Sequence, residues 1–126
     1  MILGFTVGCF DLLHHGHINL LRQAREHCDY LIVAVTTDHV TRLQKGHDRP
    51  RDSFPKRWNN VRKTGLADKL VVFRQFDVSD FLQVADVWIL GDNQLNMLPT
   101  PGEWPGRKVF IPETPGVSTT QLMQDD

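Results

Sequence analysis

Two near-continuous apolar runs, Met1-Ile2-Leu3-Gly4-Phe5-Thr6-Val7 and Tyr30-Leu31-Ile32-Val33-Ala34-Val35, bracket a segment of different periodicity. From Ile18 to Cys28, the residues Leu20, Leu21, Ala24 and Cys28 recur at helical spacing. Asn19, Arg22, Gln23, Arg25 and Glu26 fill the opposite face. Short runs that are apolar throughout fit strands covered on both faces, as in a parallel sheet. Strand, helix and strand at this spacing make a βαβ unit, whose crossover is expected to be right-handed.

The same alternation continues along the chain. Thr36-Thr37-Asp38 supplies a cap for a short helix ending near Gln44. Ser53 is read as the N-cap of a helix over Phe54–Lys63, with Pro55 early in it and Gly65 just past its end. Lys69–Phe73 reads as a strand, Val78–Val84 as a short helix and Ala85–Leu90 as a strand. Lys108–Ile111 reads as the last strand. Pro112–Gly116 reads as a turn, and Ser118-Thr119-Thr120 as the start of a C-terminal helix. Residues 93–106 are irregular and rich in Pro and Gly; loops of that length are often functional. The expected architecture is α/β, a single doubly wound domain over 1–126 with about five parallel strands.

Composition sets the remaining bounds. At 126 residues the chain is long enough for one core, and a net charge of −1 gives no general grip on nucleic acid. No apolar run approaches the roughly 20 residues that span a bilayer, so no membrane partner is expected. The N-terminus reads as strand one and not as a signal peptide. Cys9 and Cys28 lie at opposite ends of a helix rising about 1.5 Å per residue, beyond the ~7 Å reach of a disulfide. Two free thiols fit a reducing, cytoplasmic setting.

The chemistry concentrates where the first strand hands over to the first helix, in Val7-Gly8-Cys9-Phe10-Asp11-Leu12-Leu13-His14-His15-Gly16-His17. In open α/β sheets that edge is where ligands bind, and amides at a helix start favour a phosphate. His14 and His17 are three residues apart and can share one side of the first turn. Two imidazoles beside helix amides suit charge developing on phosphate oxygens. Gly8 and Gly16 permit close approach of a ligand to the backbone, and Phe10 is expected to pack inward. A basic segment follows the second strand: Arg42, Lys45, Arg49, Arg51, Lys56 and Arg57 face only Asp48 and Asp52. On the same sheet edge as the histidines, it reads as a mobile phosphate-binding flap in preference to a merely solvated loop.

Other readings of these residues exist. A zinc site would need a His-Glu-x-x-His pattern or a cysteine pair, and neither is present. Histidines can also be simple capping or packing residues. Gly4, Gly8 and Gly16 do not make the Gly-x-Gly-x-x-Gly dinucleotide fingerprint. Cys9 as a nucleophile has no assigned base.

The stretch Gly8-Cys9-Phe10-Asp11-Leu12-Leu13-His14-His15-Gly16-His17 resembles the G-x-F-D-x-x-H-x-G-H signature of the cytidylyltransferase-like nucleotidyltransferases. Thr114, Gly116, Ser118 and Thr119, about a hundred residues on, match the second signature, R-T-x-G-x-S-T. Spacing and length are most similar to the small glycerol-3-phosphate cytidylyltransferases. The resemblance implies in-line attack of an acceptor phosphate on the α-phosphorus of a nucleoside triphosphate, with Mg²⁺ and no covalent enzyme intermediate. It implies that His14, His17 and Lys45 stabilise charge on the reacting phosphates, and that Arg57, which matches the arginine on the following helix, is also catalytic. Gly8, Cys9, Phe10, Asp11 and Gly16 would lie along the nucleotide, with Gly91 and Asp92 near the nucleoside. Thr114 and Gly116 would also bind nucleotide, and Ser118 and Thr119 would hold the β/γ phosphates. The resemblance implies a homodimer; no metal-ligand residues are expected in the chain itself.

The departures bear on specificity. Cys9 stands where these enzymes usually have Thr, Gly65 where an Arg is frequent, Asn93-Gln94 where Asp-Trp follows Gly-Asp, and Glu113 where the second signature has Arg. A carboxylate near a triphosphate is repulsive unless it turns away or holds a cation. Lys45-Gly46 followed by Arg49-Pro50 also resembles the K-G-x-x-R-P loop of adenylyltransferases acting on heptose phosphate or flavin mononucleotide. The leading expectation is transfer of CMP from CTP to a small phosphate ester such as glycerol 3-phosphate. The alternatives are adenylyl transfer from ATP to a sugar phosphate or flavin-type acceptor, and a nucleotide-binding protein that has lost transferase activity.

Overall fold

In the computed structural model, residues 1–46, 50–74, 85–91 and 106–111 are described. The expected helix over 78–84, the loop over 93–105, the turn after Ile111 and the C-terminal helix lie outside them. So do Asp92, Glu113, Thr114, Gly116, Ser118 and Thr119.

Five parallel strands form one sheet: β1 (Leu3–Gly8), β2 (Tyr30–Thr36), β3 (Lys69–Phe73), β4 (Val87–Gly91) and β5 (Arg107–Ile111). Their order is β3-β2-β1-β4-β5, so the direction of winding reverses between β1 and β4. That reversal is the switch point at which doubly wound sheets open a ligand crevice. β1 pairs with β2 from Leu3↔Tyr30 to Gly8↔Val35, and with β4 at Gly4↔Val87 and Phe5↔Trp88.

Among the described residues, three helices pack on this sheet: α1 (His15–Glu26), α2 (Asp38–Lys45) and α3 (Phe54–Thr64). Because strand side chains alternate, the sheet buries two layers. On one face Phe5 and Val7 pack with Ala34, Phe73, Trp88 and Leu90, and α2 contributes Val40. On the other, Leu31, Val33, Val35 and Ile89 meet Leu21 and Ala24 of α1 and Val61 of α3. Each such aliphatic side chain, fully buried, contributes about 1.5–3 kcal/mol. The doubly wound expectation is therefore met, with α1 and α3 opposite α2.

Helix ends follow local chemistry. Thr37 caps α2, its Oγ1 accepting the Val40 N–H at 3.2 Å. α3 ends on Gly65 at φ 69°, the left-handed region that glycine tolerates. Ser53 occupies the N-cap of α3 as predicted, but its side chain makes no capping hydrogen bond. Gly4 is required by packing: a Cβ there would sit 2.6 Å from Cys28 Sγ and 2.8 Å from its Cβ. Both cysteines are free. Burial pushes the Cys28 thiol above its usual 9.0; Asp68 and Asp29 act in the same direction, and Arg25 opposes them.

At the amino edge of the sheet one device occurs three times. Asp29, immediately before β2, accepts the Ile2 N–H on Oδ2 at 2.7 Å and donates its own N–H to the Ile2 carbonyl at 2.8 Å. Asp86, before β4, does the same to Leu3, at 2.8 and 2.7 Å. Asp68, before β3, does it to Leu31, at 2.8 and 3.0 Å. Each aspartate clasps both backbone groups of one residue in the adjoining strand, or at its threshold. That satisfies donors a strand end would otherwise leave open. Arg25 of α1 adds a 2.9 Å ion pair to Asp68.

No helix among the described residues is long and apolar enough to cross a membrane.

Candidate active site

At the carboxyl edge, β1 ends at Gly8 and β4 at Gly91, on either side of the switch point. α1 begins at His15, three residues before the apolar periodicity predicts. The histidines account for the difference. His14 is the N-cap, and its Nδ1 accepts the Gly16 N–H at 2.9 Å. His17 reaches back, and its Nδ1 accepts the His14 N–H at 3.3 Å. This is the reciprocal logic of a capping box, with imidazoles replacing the hydroxyl and carboxylate. The two rings stack with centroids 4.0 Å apart and planes at 23°. Capping and a functional role are thus not rival readings of the pair.

The cap fixes ring chemistry as well. A nitrogen that accepts a backbone N–H carries no proton, so in each neutral ring the proton sits on Nε2. The pair is a double N–H donor at a helix start, half-buried and beside backbone amides. Such a constellation can bind a phosphate without covalent chemistry.

The loop joining β1 to α1 is conformationally unusual. Phe10 and Leu12 have φ of 54° and 50°, left-handed values that cost a non-glycine residue roughly 1–3 kcal/mol. Phe10 is buried as expected, and its ring lies edge-on to His17 at 5.6 Å. Between these two residues, Asp11 is completely buried. Its carboxylate accepts two consecutive amides, Arg51 N–H on Oδ2 and Asp52 N–H on Oδ1, both at 2.8 Å. Asp11, expected along the nucleotide, thus uses its carboxylate oxygens to hold the far end of the basic segment. Cys9 is likewise buried, so what it offers a ligand is backbone.

Arg57, expected among the catalytic residues, lies inside the protein. It is 0% exposed, on the first turn of α3. Nε donates to the Asp52 carbonyl at 3.0 Å, Nη1 to the Cys9 carbonyl at 2.8 Å and Nη2 to Asp38 Oδ1 at 2.7 Å. A buried guanidinium needs such partners to offset its lost hydration. In this arrangement it presents no surface to a phosphate. Lys45 is the last residue of α2, on the carboxyl side of β2. The flap read from residues 42–57 is therefore helical up to Lys45 and pinned at Arg51 and Asp52; residues 47–49 lie outside the described ones.

Sequence reasoning brought His14, His17, Gly8, Gly16 and Gly91 to one sheet edge correctly. It passed over Asp38, read only as part of a helix cap, and Asp52. Their place just after β2 and just before α3 was the available signal. Among the described residues, no three His, Cys, Asp or Glu side chains gather as a metal-ligand set.

The family described as cytidylyltransferase-like matches residues 5–124. The chain is 36% identical over 126 residues to the bifunctional protein HldE of Desulfatibacillum aliphaticivorans, covering 95% of this chain and 26% of that protein. It is 37% identical over 122 residues to HldE of Streptomyces coelicolor, covering 92% of this chain and again 26% of the relative. The chain thus spans about a quarter of the length of these relatives. Among solved structures, the lipopolysaccharide core biosynthesis protein of Thermoplasma volcanium superposes with a TM-score of 0.72 at 22% identity. The match covers 90% of this chain and 98% of that one. Pantothenate synthetase of Thermus thermophilus superposes with a TM-score of 0.59 at 17% identity, over 89% of this chain and 56% of the other. Both structures share the fold.

Proposed function

Since this chain belongs to the cytidylyltransferase-like family, we propose that it transfers a nucleotidyl group from a nucleoside triphosphate to a small phosphate ester, releasing pyrophosphate. The observation that carries this reading is the stacked His14–His17 pair, capped through Nδ1 at the start of α1 on the ligand-binding edge of the sheet. In the reaction, an oxygen of the acceptor phosphate attacks the α-phosphorus and the bond to the bridging oxygen breaks. Charge passes to the departing pyrophosphate. The chain's share of the work is to align the reactants and to meet that charge with fixed donors. The Nε2–H groups of His14 and His17 supply two of these, and the α1 amides supply others. The triphosphate enters as its Mg²⁺ complex.

For the substrates we place ATP and a sugar phosphate ahead of CTP and glycerol 3-phosphate. The Lys45-Gly46 and Arg49-Pro50 loop favours this order because it is similar to that of adenylyltransferases acting on heptose phosphate. The HldE proteins, similar over more than nine-tenths of this chain, incline the same way. Lys45 is assigned to the reacting phosphates, Gly91 and Asp92 to the nucleoside, and Thr114, Gly116, Ser118 and Thr119 to the outer phosphates. A homodimer and a cytoplasmic setting complete the proposal.

The test is pyrophosphate release with Mg²⁺, for ATP and CTP separately, against sugar phosphates, flavin mononucleotide and glycerol 3-phosphate. Release with ATP and a sugar phosphate is expected. Release only with CTP would reverse the substrate assignment. Nucleotide binding without turnover on any acceptor would favour a protein that has lost transfer.

A further inference from the structure

Three segments of the carboxyl edge converge on one guanidinium. Arg57 ties the β1–α1 loop through the Cys9 carbonyl, the start of α2 through Asp38, and the approach to α3 through the Asp52 carbonyl. The three hydrogen bonds are 2.7–3.0 Å long and diverge from a planar fork, a geometry that lysine cannot reproduce. Immediately beyond Cys9 the backbone takes its two left-handed steps, at Phe10 and Leu12. Unfavourable backbone of this kind persists only where its surroundings over-determine it. Here Arg57 holds one side of the loop and the Asp11 clasp on Arg51 and Asp52 holds the other. Phe10, the first left-handed residue, lies edge-on to His17.

We propose that Arg57 is a positioning residue. It touches no substrate and sets the aim of the His14–His17 pair through Cys9 and Phe10, with Asp38 as its counter-charge. Meeting a phosphate directly would require Arg57 to leave a fully buried site and break its 2.7 Å pair with Asp38. Asp38 becomes a second positioning residue by the same reasoning. Its side chain is 36% exposed, so it can be altered with less damage to the core.

The experiment compares the wild-type chain with Arg57→Lys and Asp38→Asn. Imidazole ¹H–¹⁵N signals are recorded without ligand, and nucleotide affinity and turnover are measured on the same samples. Both variants are expected to move the His17 ring signals in the ligand-free protein. Turnover should fall about tenfold or more, with nucleotide affinity changed far less. The losses in the double variant should fall short of their sum, because both substitutions act through one contact. Three results would overturn the proposal. Ring signals that stay at wild-type positions while nucleotide affinity drops would make Arg57 a direct phosphate contact. Full turnover in Asp38→Asn would remove Asp38 from the path. A lowered melting temperature with unmoved ring signals would leave Arg57 a merely structural residue. If Arg57→Lys does not fold, Asp38→Asn carries the test. The turnover arm rests on the nucleotidyl-transfer reading, whereas the ring signals do not. A wild-type chain without turnover would therefore sink that reading and leave this one to be decided by the spectra.

Discussion

The two edges of the sheet use the same bond, an aspartate carboxylate accepting a backbone amide, to different ends. At the amino edge Asp29, Asp68 and Asp86 clasp the adjoining strand, and among the described residues there no non-glycine residue has a positive φ. At the carboxyl edge Asp11 reaches 40 and 41 residues along the chain to hold Arg51 and Asp52. It does so from between two residues in left-handed backbone. One edge satisfies its backbone in register, between adjoining strands. The other spends stability to hold a loop in a shape it would not adopt alone, which is where functional geometry is commonly stored.

The largest expected effect that tests this division is on turnover. Substituting His14 or His17 by Ala should each lower the transfer rate by about 10²–10³-fold, the scale for losing one preorganised donor. The accompanying loss of capping should cost only about 1 kcal/mol of stability. Equal losses in rate and in folded fraction would collapse the distinction between the edges. Next come the aspartates. Asp11→Ala orphans two amides, at about 1–3 kcal/mol each, and should also depress activity per folded molecule. Asp68→Ala removes a charge-assisted bond to Leu31, at about 1.5–3 kcal/mol, together with the solvent-screened Arg25 ion pair, which adds little, with activity per folded molecule unchanged. Urea titrations beside turnover on the same samples would separate the two. Activity lost in Asp68→Ala would mean that the amino edge is not purely structural.

Gly4→Ala sharpens the stability side. It drives a Cβ against Cys28 and should cost about 1–3 kcal/mol, the usual range for overpacking. Adding Cys28→Ala should recover only part of that, because the Cys28 Cβ is itself 2.8 Å from the intruding atom. The smallest effect is on pH dependence. Burial raises the Cys28 thiol above 9.0 in the folded chain, so the unfolded chain ionises first. Its contribution to stability is complete below 9.0 and declines as pH rises through the folded value. Cys28→Ala should flatten the alkaline fall in urea midpoint.

The sequence made β3 legible to the residue, and β1, β2, β4 and β5 within two. Apolar runs covered on both faces leave little ambiguity, and Gly65 marked the end of α3 through its φ. The edge carrying His14 and His17 was also legible, since strand, glycine and helix order alone locates it. Three things were not. Apolar periodicity placed the start of α1 only to within three residues, because imidazoles do the work that a Ser and a Glu do in the familiar cap pattern. The left-handed steps fall on Phe10 and Leu12, residues with no preference for that region, so nothing local announces them. The burial of Arg57 depends on Cys9, 48 residues away, and on Asp38, 19 away. A basic residue among others in a basic segment looks solvated until those partners are known.

The amino-edge clasps also bear on the order in which the chain assembles. They join residues 27, 37 and 83 positions apart, for Ile2–Asp29, Leu31–Asp68 and Leu3–Asp86 respectively. Closing the longest of these loops costs about 1 kcal/mol more in chain entropy than closing the shortest. Assembly should therefore begin with β1 against β2, extend to β3, and recruit β4 last. Pulse-labelled hydrogen exchange should find the Ile2 and Leu31 amides protected before that of Leu3. The crevice between β1 and β4 would then be the last part of the sheet to come into existence, forming only after the frame that supports it is in place.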